Sequence, residues 1–109
     1  MQYDKDIQSD HKALFGLVRN LMIEHFKFVE TRKQRITTYS NSNGGICHMR
    51  TTKEGLDIGF LKGARMTDTH LRLVGTGKVM RVLPVKAFDL AIITHYLEQA
   101  VSINLLRNQ

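Results

Sequence analysis

The sequence predicts an α+β fold in which two amphipathic helices pack on one face of a short antiparallel sheet. Apolar residues recur at helical spacing near both ends of the chain, while the middle holds β-branched and aromatic runs separated by polar, glycine-bearing turns. Strands bracketed by helices are the pattern of an α+β domain. The 109 residues suffice for one domain with one core.

The first nine residues, MQYDKDIQS, read as an acidic leader. Ser9 or Asp10 is placed to cap a helix, because either side-chain oxygen can accept a first-turn N–H. Leu14, Leu17, Val18, Leu21 and Met22 then form an inner stripe flanked by Phe15 and Phe26, which predicts a helix over 10–27. No glycine marks its end. The segment 28–35 is charged and carries no clear pattern.

Strand signals follow. The run 36–39 is β-branched and aromatic, and Asn41-Ser42-Asn43-Gly44-Gly45 is a hairpin turn, since Asn and Gly accept positive φ at low cost. A second strand covers 46–51, and Thr52-Lys53-Glu54-Gly55 turns into a third, where Leu56, Ile58 and Phe60 alternate with Asp57 and Gly59. The stretch 63–77 is a long connection with a short helical turn expected over 68–73. A fourth strand is predicted over 78–85, with Val79, Arg81 and Leu83 on one face and Pro84 near its end. From Ala87 to about Leu106 the period is helical again, with Leu90, Ile93, Leu97, Ala100 and Val101 facing inward.

Composition narrows the function classes. The hydrophobic share of 42% is that of a globular domain, and no apolar run is long enough to cross a bilayer. The polar, acidic N-terminal segment is unlike a secretory signal, which makes the cytoplasm the expected location. Cys47 is the only cysteine; no internal disulfide can form, and a small buried apolar residue is expected there. The net charge is +6, concentrated between Thr31 and Lys86, where eleven Lys/Arg face three acids for a balance of +8. Such a segment suits a polyanionic surface, and Arg32, Lys33 and Arg35 beside Tyr39 are the candidate nucleic-acid contacts.

No catalytic or metal-binding spacing is present, so neither an enzyme nor a cofactor is implied. His11, His25, His48, His70 and His95 include no H-x-x-x-H pair, and Cys47 and His48 are adjacent, pointing to opposite faces of a strand. Gly75-Thr76-Gly77-Lys78 has phosphate-loop residues but precedes a strand, not a helix; its glycines are expected to turn the chain with positive φ. Arg81 lies on the inward face of the fourth strand. A buried guanidinium needs a carboxylate partner, and Asp68, Asp57 and Glu30 are the candidates, Asp68 first. On that basis Arg81→Ala is expected to be strongly destabilising.

The string Leu56-Asp57-Ile58-Gly59-Phe60-Leu61-Lys62-Gly63-Ala64, Met66-Thr67-Asp68, Leu73, Gly75, Gly77-Lys78 and Arg81 resembles the bacterial YdhG-like domains of unknown function. The likeness extends over 10–104, with Glu30-Thr31 and Tyr39 at further family positions. The chain departs from the family at Gln34-Arg35 and Thr37, where an aromatic, a glycine and a proline are usual. The resemblance implies a frataxin-like fold and a structural loop of Gly59, Gly63, Asp68, Gly75 and Gly77. One branch of the family is described as iron chaperones. Carried over, that role would fall to Asp4, Asp6, Asp10, Glu24 and Glu30, because hard iron ions favour carboxylates.

Taken with the basic middle segment, the leading expectation is a binding or adaptor domain. Lys62, Arg65, Lys78 and Arg81 would capture an anionic small molecule or an acidic protein partner. Iron delivery and weak nucleic-acid binding are the alternatives, and an edge strand makes a homodimer conceivable.

Overall fold

The computed structural model describes residues 1–107, and its framework is one antiparallel sheet of five strands in the order β1-β2-β3-β4-β5. The strands are β1 Val29–Arg32, β2 Thr37–Asn41, β3 Gly44–Thr51, β4 Leu56–Phe60 and β5 Arg81–Val85. Around them stand α1 Gln2–Asp6, α2 Lys12–Asn20 with a π-helical extension Leu21–His25, a 3₁₀ turn Gly63–Arg65, and α3 Leu90–Arg107. The α+β class follows directly.

Strand alternation separates two faces. On one, Tyr39, Cys47, Phe60 and Arg81 lie in register, beside Thr37, Met49, Ile58 and Leu83. All but Arg81 are buried, and their apolar members share a single core with Phe15, Val18 and Met22 from α2 and its extension and Ile93, Tyr96, Leu97 and Ala100 from α3. On the other face Thr31, Thr38, His48, Gly59 and Val82 line up across all five strands. Asp57 and Arg50 are cross-strand neighbours next to that row.

Several elements differ from the sequence reading. The leader is not outside the fold: α1 docks through Asp6, which is fully buried and accepts hydrogen bonds from Gln2 Nε2 (2.9 Å), Thr51 N (2.9 Å) and Thr51 Oγ1 (2.7 Å). Ser9 does not cap α2. Its Oγ accepts from His11 N in the preceding turn, and the N-cap is His11. The charged segment after the extension of α2 contains β1, whose short length and inward Glu30 and Arg32 leave no hydrophobic alternation to read. The most buried stripe of α2 and its extension is Phe15, Val18 and Met22, with Leu14 and Leu21 half-buried against the core and Leu17 exposed. In α3, Leu90 is exposed and Tyr96 takes an inward place. The fourth predicted strand starts at Arg81, not Lys78, and the expected helical turn over 68–73 is only a hydrogen-bonded turn, Leu71 N to Asp68 O.

The π-helical extension of α2 ends without glycine because Lys27 takes the left-handed conformation itself (φ 59°), while Phe28 N bonds back to the Met22 carbonyl. That conformation costs an L-residue about 1–2 kcal/mol, which glycine avoids. Lys27 is exposed, so Lys27→Gly is expected to stabilise the fold by about 1 kcal/mol. A thermal melt should show a midpoint several degrees higher; an unchanged or lower midpoint would contradict this cap assignment.

Candidate binding surface

The four basic residues expected at the site belong to three backbone segments that meet at one corner of the sheet. Gly63 packs so closely on β5 that a Cβ added there would lie 2.5 Å from both the N and the Cβ of Arg81. Ala64 N donates to Val79 O (2.9 Å), and Gly75 lies against Met80 and Arg81. Arg65 and Lys78 therefore flank a hydrogen-bonded pair, and both are exposed. Lys62 is half-buried with its Nζ enclosed.

Arg81 shares the inward side of β5 with Leu83, as the alternation predicts, but its partner is not a carboxylate. Its Nη1 donates to the carbonyls of Gly77 (2.6 Å) and Met80 (2.7 Å). Position explains this. Arg81 is the first residue of β5, so its long side chain leaves the core at the sheet's end and ties down the loop before it. The expected Arg81–Asp68 pair is absent, and with it the ground for a severe loss in Arg81→Ala. Of the two loop glycines, Gly75 has positive φ (127°); Gly77 does not, and its role is to offer that carbonyl.

Asp68 instead clamps the long loop to α3. Its Oδ1 accepts from Tyr96 OH (2.6 Å) and Arg72 N (2.9 Å), and both of its oxygens accept from Leu73 N (3.2 Å). Burial alone would push this carboxyl up, but the Tyr96 hydroxyl and the two N–H groups outweigh it and hold the carboxyl below its ordinary value. Tyr96 OH accepts His70 N (3.1 Å), and Gln99 grips both the N and O of Thr67. Sequence reasoning missed Tyr96 because a tyrosine on a helical stripe reads as core, and its hydroxyl partner is 28 residues away.

The row on the open side of the sheet gives this corner its extension. Gly59 lies beneath the imidazole of His48, and a Cβ on Gly59 would collide with that ring. Burial, then the nearby Arg50, lower the His48 pKa; Asp57 opposes them without winning, so the ring is neutral at pH 7. The row Thr31, Thr38, His48, Gly59, Val82 contains no carboxylate, lysine or arginine, with Arg50 and Asp57 adjoining it on the same face. It continues through the bridge from Val82 to the exposed Val74, near the exposed Val79 and Met80. Cys47, on the opposite face, is fully buried, and burial pushes its thiol pKa far up, which makes it unreactive.

Of the residues invoked for iron and for nucleic acid, Asp6, Glu30, Arg32 and Tyr39 are engaged elsewhere, while Asp10, Glu24, Lys33 and Arg35 are exposed. Asp6, the last residue of α1, is buried against Thr51. Glu30, which is 8% exposed, receives Arg19 Nε (2.6 Å) and Nη2 (3.0 Å), Arg32 Nε (3.0 Å) and Tyr39 OH (3.0 Å). Tyr39 is fully buried and offers no ring to a base, while Arg32 lies 3.6 Å above the centre of the Tyr3 ring. Among the described residues, no group of three or more His, Cys, Asp or Glu is arranged to hold a metal, although the rings of His70 and His95 are 5.1 Å apart. No helix of the described residues is long and apolar enough to cross a membrane. Comparison with protein-family models, curated proteins and solved structures finds no match to this chain.

Proposed function

We propose that the protein is a non-enzymatic docking domain that binds an acidic protein partner on the open side of its sheet. The carrying observation is the uncharged row from Thr31 to Val82, continued by exposed Val74 and ending at a corner that presents Arg65 and Lys78. Protein interfaces are depleted of charged residues at the centre and polar at the rim. The +8 balance of the middle segment supports an acidic partner. Lys62 and Arg81 contribute by building the corner, Arg65 and Lys78 by reaching the partner's carboxylates. The YdhG-like resemblance is the family assignment we propose, on the motif residues Gly59, Gly63, Asp68, Gly75, Gly77 and Arg81. Delivery of iron is the weaker reading, because Asp6 and Glu30 already have protein partners.

Fluorescence anisotropy with a labelled synthetic peptide rich in Glu and Leu tests this reading. Binding should weaken at least about tenfold between roughly 50 and 300 mM salt, as screening shortens the reach of the charges. It should be lost in the doubly reversed Arg65→Glu, Lys78→Glu protein. A single-stranded RNA oligomer that bound more tightly than the peptide, or a peptide affinity indifferent to the double reversal, would overturn the proposal.

A further inference from the structure

A cavity of about 410 Å³ lies where β5 runs into α3, away from the open face of the sheet. Its volume falls within the range that holds small organic ligands. Leu83 and Ile93, both core residues, and the half-buried Phe88 and Ile92 give it apolar walls. Its polar lining comes from Arg72, Lys86 and Asp89. Two of these have work elsewhere: Asp89 Oδ1 accepts Ile92 N (3.2 Å) at the start of α3, and Lys86 Nζ is 3.4 Å from Glu54. Arg72 differs. Among the described residues its guanidinium has neither a hydrogen-bond acceptor nor a carboxylate partner, although its backbone is among the most firmly held in the loop.

The loop's construction explains that hold. Leu71, 88% exposed, is in the left-handed conformation (φ 55°), which a bulky side chain rarely adopts. Asp68 maintains the turn by accepting the N–H groups of Arg72 and Leu73, and Tyr96 anchors Asp68 to α3. Local strain of this kind persists only where surrounding contacts over-determine it, and such places cluster at ligand sites. Here the outcome is an arginine fixed by its backbone beside an apolar cavity. The planar guanidinium forms paired hydrogen bonds with a carboxylate, and fixing its backbone in advance lowers the entropy cost of binding.

We infer that this cavity binds a small monocarboxylate with an aromatic or branched aliphatic body. Arg72 takes the carboxylate, and the body packs on Leu83, Phe88 and Ile92. The site is independent of the partner surface proposed above, since neither Arg65 nor Lys78 lines it.

Titration of the ¹⁵N-labelled full chain with sodium phenylacetate, followed by NMR, tests the assignment. Saturable shifts are expected at the amides of Arg72 and of 86–93, with a Kd below about 1 mM. Benzyl alcohol, which lacks the carboxylate, should bind at least about tenfold more weakly. Arg72→Gln should weaken phenylacetate by a similar factor while leaving the thermal midpoint and the acidic-peptide affinity unchanged, and Arg72→Lys should fall between, keeping the charge but losing the fork. Shifts that do not saturate, that map elsewhere, or that inorganic phosphate reproduces equally would overturn the inference.

Discussion

Glu30→Ala is expected to be among the most damaging substitutions in the chain, lowering stability by about 2–3 kcal/mol. The carboxylate is the meeting point of Arg19 on α2, Arg32 on β1 and Tyr39 on β2. Its removal leaves a fully buried tyrosine hydroxyl without its acceptor and two guanidinium groups without their shared anion. Breaking a wholly buried pair costs about 3–5 kcal/mol. The guanidinium side chains here remain partly exposed, at 29% for Arg19 and 47% for Arg32, so water recovers part of that loss. The thermal midpoint should drop by roughly 10–20 °C.

The same carboxylate gives stability a pH dependence. Burial would raise its pKa, but the hydrogen bonds from Arg19, Arg32 and Tyr39 outweigh burial and hold it below its ordinary value near 4.5. Its contribution is therefore complete above that ordinary value and is lost as pH falls through the depressed one. The wild-type midpoint should decline below about pH 4.5, and Glu30→Gln should remove part of that decline. A Glu30→Ala protein that melted within a degree or two of wild type would show that the cluster is a solvated surface pair.

The second large effect belongs to Gly63→Ala, with an expected cost of about 2 kcal/mol, within the range for forcing extra atoms into a closely packed site. The added Cβ would stand 2.5 Å from the Arg81 backbone nitrogen, which cannot rotate away as a side chain can. The 3₁₀ turn and β5 would have to separate, which also moves Arg65 away from Lys78. Acidic-peptide affinity should therefore fall together with the midpoint. Gly16→Ala on α2 is the matched control. Nothing lies within 4 Å of its added Cβ, so better helix propensity should leave the fold as stable or up to about 1 kcal/mol more so. Equal midpoints for the two alanine variants would contradict the close approach at Gly63.

The parts of this fold that were legible in the sequence are those written in a short repeat. The alternation Leu56, Ile58, Phe60 marked β4 and its buried side, and all three are buried. Asn41-Ser42-Asn43-Gly44-Gly45 marked the hairpin, where Gly44 has φ 112°, although both glycines already belong to β3. The parts that were not legible depend on partners distant in sequence. Asp6 sits in a polar leader, and only Thr51, 45 residues on, makes it a buried anchor. β1 shows no alternation because its inward residues are Glu30 and Arg32, a carboxylate paired by Arg19 of α2 and by Arg32 itself. Arg81 was correctly read as inward but wrongly paired, because strand parity gives a direction and not a depth, and at a strand's end a long side chain can leave the core. The basic residues of the corner could be listed from the sequence. Their convergence rests on the contact between Gly63 and Arg81, which spacing alone does not reveal, and the open row through His48 needs the register of all five strands.

These features make the sheet, not the helices, the proposed working side of the molecule. The row from Thr31 to Val82 supplies the proposed contact area, and the corner supplies the basic charge. Mapping amide shifts on the ¹⁵N-labelled protein during titration with the Glu- and Leu-rich peptide tests this claim most directly. The account predicts saturable perturbations at Thr38, His48, Gly59, Val82, Arg65 and Lys78, with α2 and α3 unaffected. Perturbations confined to the helices, or spread evenly over every exposed basic residue, would contradict it.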